Sequence, residues 1–288
     1  MPLTPAMVGT AGPARPEDLE DRWLMNYAAS VFDRNPVYFD NRGRRRLSVH
    51  PAYLSHQEWE AIAALHEVLG GLTPDERERG VHSYNDTRLL RPLRSGGQIS
   101  CVARVQAVEQ RRSGGRLTIR IDTTDTAGEL VATSVTCTVF RDVHVDGPDV
   151  GEPPVITHAG PGWQAKPTRV QILAVDALAP YIFSECARDY NPIHTDIALA
   201  TRIDLPGLIL HGTATFAIAL SSLVNHELAG DPAQVGRFGG RLGAMLLCPS
   251  TARLEVRSHA ADHHRYRFDI LTEDGAPVIA NGFVESRD

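Results

Sequence analysis

The chain has 288 residues, 42% hydrophobic and 22% charged, with a formal net charge of −6. Such a composition suits a globular protein of one large domain, or two of about 140 residues, that needs neither disulfide nor metal for its core. The charge balance argues against a general nucleic-acid binder. The four cysteines, Cys101, Cys137, Cys186 and Cys248, form no CxxC pair, which excludes a zinc ribbon or redox motif and fits a reducing compartment.

The opening stretch, MPLTPAMVGTAGPARPEDLEDRW, has no basic segment followed by an apolar one, so no secretory leader is expected. FDRNPVYFD (32–40) reads as a polar turn built on Asp33, Asn35, Pro36 and Asp40, and LSVHP (47–51) follows it. SHQEWEAIAALHEVL (55–69) predicts a helix, with Ser55 and Glu58 as a capping box. Glu58, Glu60 and Glu67 would give that helix a charged, partly exposed face. Arginines cluster in NRGRRR (41–46), RLLRPLR (88–94) and RRSGGR (111–116). Each cluster reads as a solvated loop or strand edge, or more sharply as a contact for the phosphates of a charged ligand. RLTIRID (116–122) places Leu117, Ile119 and Ile121 on one face of a strand. The hairpin signal TDTAGE (124–129) leads into the strand LVATSVTCTVF.

Proline and glycine are dense between 142 and 164, and hydrophobic periodicity is lost, which marks a linker. The predicted organisation is a first repeat over 1–145, a linker over 146–165 and a second repeat over 166–288.

The second half restates the first. In RDYNPIHTD (188–196), Asp189, Asn191, Pro192 and Asp196 match Asp33, Asn35, Pro36 and Asp40 at a constant offset of 156, and His194 stands where the first half has Tyr38. LILHG (208–212) sits where LSVHP sits, pairing His211 with His50. The long helix LILHGTATFAIALSSLV is apolar nearly all round and must be wrapped by other elements. It is too short and polar for a bilayer span, so a soluble, cytoplasmic protein without a membrane partner is expected. RYRFDI (265–270), the turn TEDGA (272–276) and PVIANGFVES supply strands with one apolar face. An antiparallel sheet curled around one buried helix satisfies both elements. The fold class is therefore α+β, as a tandem duplication of one helix-and-sheet unit.

FSECARDYNPIHTDIALA followed by LPGLILHGTATFAIA resembles the MaoC-like, or hydratase 2, family of (R)-specific enoyl-thioester hydratases and dehydratases. The likeness rests on an acid, any residue, Asn-Pro, an aliphatic residue and His, then an HG pair opening the central helix. It covers the second half. The first half resembles the degenerate repeat of double hot dog members, which lack the catalytic histidine. Two departures stand out: Arg188 where the family often has Gly, and CPST (248–251) where it usually has Pro-Gly-Asp.

The resemblance implies that Asp189 and His194 exchange protons with water and with C2 of a 2-enoyl thioester. It also implies that the Gly212 N–H receives the thioester oxygen. The chemistry agrees, because a carboxylate and an imidazole across a proline-fixed turn can converge on one water. A helix N-terminus moreover offers N–H groups without intrahelical acceptors. Asn191 orients the turn or the imidazole and counts with Gly212 among the substrate-binding residues. Asp196 reads as the N-cap of IALATR, and His211 as structural. Cys186 has no neighbour that would lower its pKa, so it is read as a core thiol. DHH (262–264) reads as a solvated turn. No metal and no redox cofactor is expected; the acyl carrier is coenzyme A or an acyl carrier protein, and a homodimer is allowed. Two alternatives stay open, an acyl-CoA thioesterase on the same scaffold and a noncatalytic acyl-thioester-binding subunit. Acyl chain length, pathway and direction are not readable from the residues.

Overall fold

The computed structural model describes residues 3–154 and 162–287, so positions 155–161 of the expected linker lie outside the described residues. In chain order the first elements are β1 (Arg15–Asp18), α1 (Asp21–Ser30), α2 (Leu54–Leu69), α3 (Pro74–Glu78), β2 (Gly80–Leu89), β3 (Gln98–Arg111), β4 (Gly114–Asp125), β5 (Leu130–Arg141) and β6 (Val150–Gly151). The remainder are β7 (Arg169–Val175), α4 (Ala179–Ala187), α5 (Ile197–Arg202), α6 (Gly212–Glu227), β8 (Val235–Leu242), β9 (Ser250–Ser258), β10 (Arg265–Thr272) and β11 (Pro277–Ser286). Antiparallel sheets with one long helix each make the α+β class expected from the patterning.

These elements gather into two compact units that do not follow the two halves of the chain. One comprises Met1–Glu17, Gln57–Leu90 and Gln98–Thr157; the other comprises Asp18–His56, Arg91–Gly97 and His158–Asp288. The segment bearing α1 and the first polar turn thus clusters with the second repeat.

In the first unit the sheet order is β1-β3-β4-β5-β2, with β6 beside β3. Leu117, Ile119 and Ile121 of β4 point into a core shared with Cys101, Ala103 and Val105 of β3 and with Ala61 and Leu65 of α2. The β4–β5 hairpin closes as its composition predicts. The Asp125 carboxylate accepts from the Ala127 and Glu129 N–H groups, and Gly128 takes the left-handed conformation the turn needs. One expectation for α2 fails. Glu58 is not part of a capping box and not exposed; it is 7% accessible and accepts a short hydrogen bond from Ser134 of β5. Its position one turn into α2 faces the sheet, where Ser134 and Thr87 offer hydroxyls that a salt bridge partner would otherwise have to replace. Glu60 and Glu67 are exposed as read.

In the second unit the order is β8-β11-β10-β9-β7, every pair antiparallel. Alternation along β9 and β10 buries Leu254, Val256, Phe268 and Ile270. Helix α6 packs on this sheet, with the Phe216 and Phe268 rings 6.4 Å apart, and nearly every position from Ala214 to Val224 is buried. That is why its sequence is apolar all round. At Gly282 of β11 an added Cβ would lie 2.6 Å from the Phe268 ring, so only glycine lets that ring fill the core. The adjacent Asn281, at φ 52, marks a bulge whose N–H bonds the Asp269 carboxylate.

Candidate active site

The site residues named from the sequence all fall in the second unit, on two adjoining elements. Helix α4 ends in a left-handed residue, Arg188 (φ 56, ψ 36), whose N–H and that of Asp189 both bond the Ser184 carbonyl. The chain then turns sharply. Asn191 caps a single 3-10 turn, Pro192–His194, by accepting from the Ile193 N–H. Asp196 caps α5 by accepting from Ala198 and Leu199. Proline at the first position of the 3-10 turn supplies the φ it requires and has no N–H to leave unpaired. Asn191 is thus placed as a brace of the turn, and its side chain bonds the backbone rather than the imidazole.

Asp189 and His194 are brought together on that turn with the start of α6. The Asp189 carboxylate accepts from the Thr213 hydroxyl at 3.3 Å and from the Asn191 N–H. Burial outweighs both and raises its pKa to about 6. His194 is nearly buried, and its Nδ1 lies 2.8 Å from the Ile209 carbonyl. A carbonyl can only accept, so Nδ1 carries the proton and Nε2 presents a lone pair. Burial lowers the His194 pKa to about 4, although the Ile209 bond opposes it, so the ring is neutral at physiological pH.

His211 completes the frame. It stacks on His194 with ring centroids 3.7 Å apart. Its Nε2 reaches the Ser184 hydroxyl at 3.2 Å and the Asp189 carbonyl at 3.3 Å. Burial and the neighbouring His194 hold it well below the usual histidine range. It is 1% accessible and caps α6 through its backbone, which is a structural position. Gly212 is the first residue of α6, where N–H groups lack intrahelical acceptors. A Cβ there would lie 2.5 Å from Leu242 Cδ2, so glycine lets that side chain pack against the start of α6.

Sequence reasoning missed Thr213 and Ser184 here and noted Arg188 only as a departure from the family pattern. Thr213, the neighbour of Gly212, holds the carboxylate. Ser184 donates to the Asp189 carbonyl at 2.8 Å from one turn before the end of α4. Arg188 lays its guanidinium 4.6 Å over the Trp23 ring.

The repeat is reproduced in atomic detail. Phe32 is left-handed like Arg188, Asp33 N–H bonds the Ala28 carbonyl, and Asn35 caps the 3-10 turn Pro36–Tyr38. Tyr27 lies against His50 as Phe183 lies against His211. In this copy, however, Tyr38 is fully buried, and its hydroxyl and Asp33 Oδ2 have no partner. Asn35 donates to Asn225 and to the Gly230 carbonyl, Asn225 donates to Asp33, and His50 pairs with Ser221, all on α6 or the loop after it.

Elsewhere, the cluster at 111–116 is absorbed by Glu109, which pairs with Arg111 and Arg116. Arg42 pairs with Asp40, and Arg46 donates to the Ser95 carbonyl. Burial raises the Cys186 thiol rather than activating it. Residues 262–264 form a surface turn. Among the described residues no group of three His, Cys, Asp or Glu could hold a metal ion, and no helix is long and apolar enough to cross a membrane.

Residues 168–274 match the MaoC like domain model, and residues 6–134 match the model of the FAS1-like dehydratase domain region. A fatty acid synthase beta subunit of Emericella nidulans is 31% identical over 113 residues, which is 39% of this chain but 6% of that protein. A peroxisomal enoyl-CoA hydratase 2 of Arabidopsis thaliana is 38% identical over 53 residues, 18% of this chain and 17% of that protein. Among solved structures, a MaoC-like dehydratase from Phytophthora capsici superposes with a TM-score of 0.82 at 16% identity, covering 98% of both chains. A Mycobacterium tuberculosis protein described as having a double hotdog fold superposes at 0.64 and 15% identity, over 97% of this chain and 95% of that one. This chain therefore has the double hot dog fold, and its residues 168–274 are similar to the MaoC like domain.

Proposed function

We propose that the protein hydrates a 2-enoyl thioester to the (R)-3-hydroxyacyl thioester, or runs the reverse dehydration, on coenzyme A or an acyl carrier protein. The observation that carries this reading is a carboxyl with a raised pKa and a neutral imidazole on one turn, beside the N-terminus of α6.

In hydration the water oxygen bonds to C3 while one of its protons leaves. The C2–C3 π pair moves toward the carbonyl, giving an enolate whose oxygen is held by the Gly212 N–H and the positive end of α6. Collapse of the enolate then takes a proton at C2. Asp189, with a pKa near 6, exchanges protons at physiological pH, so it takes the water proton and returns it at C2. His194 resists charging and serves through its Nε2 lone pair, accepting a hydrogen bond that aims the water. Thr213 and Ser184 keep the carboxylate and its backbone in place.

The test is loss of enoyl absorbance with crotonyl-CoA and longer enoyl-CoA esters, with chiral analysis of the product. Asp189→Asn should lower kcat about a thousandfold and His194→Gln about a hundredfold, within the range for acid–base groups, in folded proteins. Turnover near wild type in Asp189→Asn, or release of free thiol instead of hydration, would reject the reading.

A further inference from the structure

The catalytic turn is held by a strut that its copy in the first repeat lacks. Both turns begin with a non-glycine residue in the left-handed region, Phe32 and Arg188, each at φ 56. Phe32 is 61% exposed, so the backbone conformation needs no side-chain anchor. Arg188 is anchored from three directions. Its guanidinium lies 4.6 Å over the Trp23 ring of α1. One of its nitrogens donates to the Tyr53 hydroxyl at 3.2 Å. Its carbonyl accepts from His56 Nδ1 at 3.0 Å. Tyr53 in turn is wedged edge-on to Tyr27, which is edge-on to Phe183 of α4. All these residues belong to the second unit, and Asp189 is the next residue along the chain.

We infer that Arg188 is a positioning residue for Asp189: by bridging Trp23 and Tyr53 it fixes where the turn holds the carboxylate. This rests on the hydratase reading above. The left-handed conformation makes a clean test possible, because glycine prefers it and alanine does not. Arg188→Gly removes the strut and keeps the turn. Arg188→Ala removes the strut and strains the turn as well. A reacting group displaced by about 1 Å can cost up to a hundredfold in rate.

In the enoyl-CoA assay Arg188→Gly is expected to lower kcat about tenfold or more with KM within about threefold. Its melting temperature should not fall. The acid limb of kcat/KM should move to lower pH as water reaches a loosened Asp189, a change that mere destabilisation would not produce. Phe32→Gly, the matching change in the other turn, should leave kcat unchanged. Arg188→Gly with kcat within twofold of wild type overturns the inference. Should that variant fail to fold, Tyr53→Phe decides: reduced kcat supports the strut, and wild-type kcat overturns it. Asp189→Asn separates the two levels, since an inactive Asp189→Asn beside a fully active Arg188→Gly rejects only the strut, whereas an active Asp189→Asn rejects the hydratase reading itself.

Discussion

Burial raises the pKa of two carboxyls, Asp189 and Glu58, and on the proposed reading the first bears on activity and the second on stability. Asp189 must be ionised to take a proton from water, and burial sets its pKa at about 6. His194 is already neutral above about pH 4. Hydration should therefore rise through about pH 6 to a plateau, and a pH profile of kcat/KM checks it; an acid limb near pH 4 would contradict the assignment. Glu58 accepts from the Ser134 hydroxyl, and burial lifts its pKa from 4.5 to about 7. A carboxyl with a raised folded-state pKa favours the folded state less once ionised. The contribution of Glu58 to stability should thus decline as pH rises from 4.5 through about 7, while buried His50, His66 and His82, with lowered pKa values, act in the opposite direction. Glu58→Gln keeps the hydrogen bond and removes the charge. It should raise unfolding free energy at pH 8 by up to roughly 3 kcal/mol, with little effect at pH 4, as read by urea denaturation. A variant less stable than wild type at pH 8 would show that the ionised form is held by more than Ser134.

At the scale of elements, the proposed chemistry depends on how α6 begins. His211 turns the chain into the helix, and Gly212 offers the first N–H. Gly212→Ala keeps that N–H and suits a helix better. Its Cβ would press on the end of the flexible Leu242 side chain, and on the proposed reading this would disturb the N–H that receives the thioester oxygen. The expected outcome is a fall in kcat of about tenfold or more, on the scale of one disturbed oxyanion contact, with a melting temperature within a few degrees of wild type. Unchanged kcat would move the oxyanion site elsewhere. The same element explains what could be read beforehand. The boundaries of β11, the hairpins and the α5 cap follow from local signals in PVIANGFVES, TDTAGE and Asp196, each complete within a few residues. Glu58 was misread because a capping box looks identical in sequence whether or not a serine from β5 competes for the carboxylate. Only the fold puts Ser134 there.

For the molecule as a whole, two turns share one design, and the proposed reactive groups stand on one of them. Tyr38 replaces His194, but a second difference also matters. The residue after His50 is Pro51, which has no N–H, where the second repeat has Gly212. The first turn instead anchors to α6 through Asn35, Asn225, His50 and Ser221. Its buried phenol is pushed above the usual tyrosine range, first by burial and then by Asp33 and Asp231. Restoring the histidine should therefore restore no chemistry. Tyr38→His placed in the His194→Gln background is expected to stay at the activity of His194→Gln alone, and a recovery would mean that the first turn retains an oxyanion donor.

Local chemistry was enough to reveal the repeat, the strand pattern, the turn Asp189–His194 and the buried character of α6, because periodicity, proline and capping residues act over a few positions of chain. Three things waited for the tertiary structure: the clustering of residues 18–56 with the second repeat, the tautomer of His194, and the contacts of Asp189 with Thr213 and of Arg188 with Trp23. Each is a contact between groups distant in sequence or a consequence of burial. Neither distance in space nor exclusion of water is written in the order of residues, so both appear only when the chain is packed.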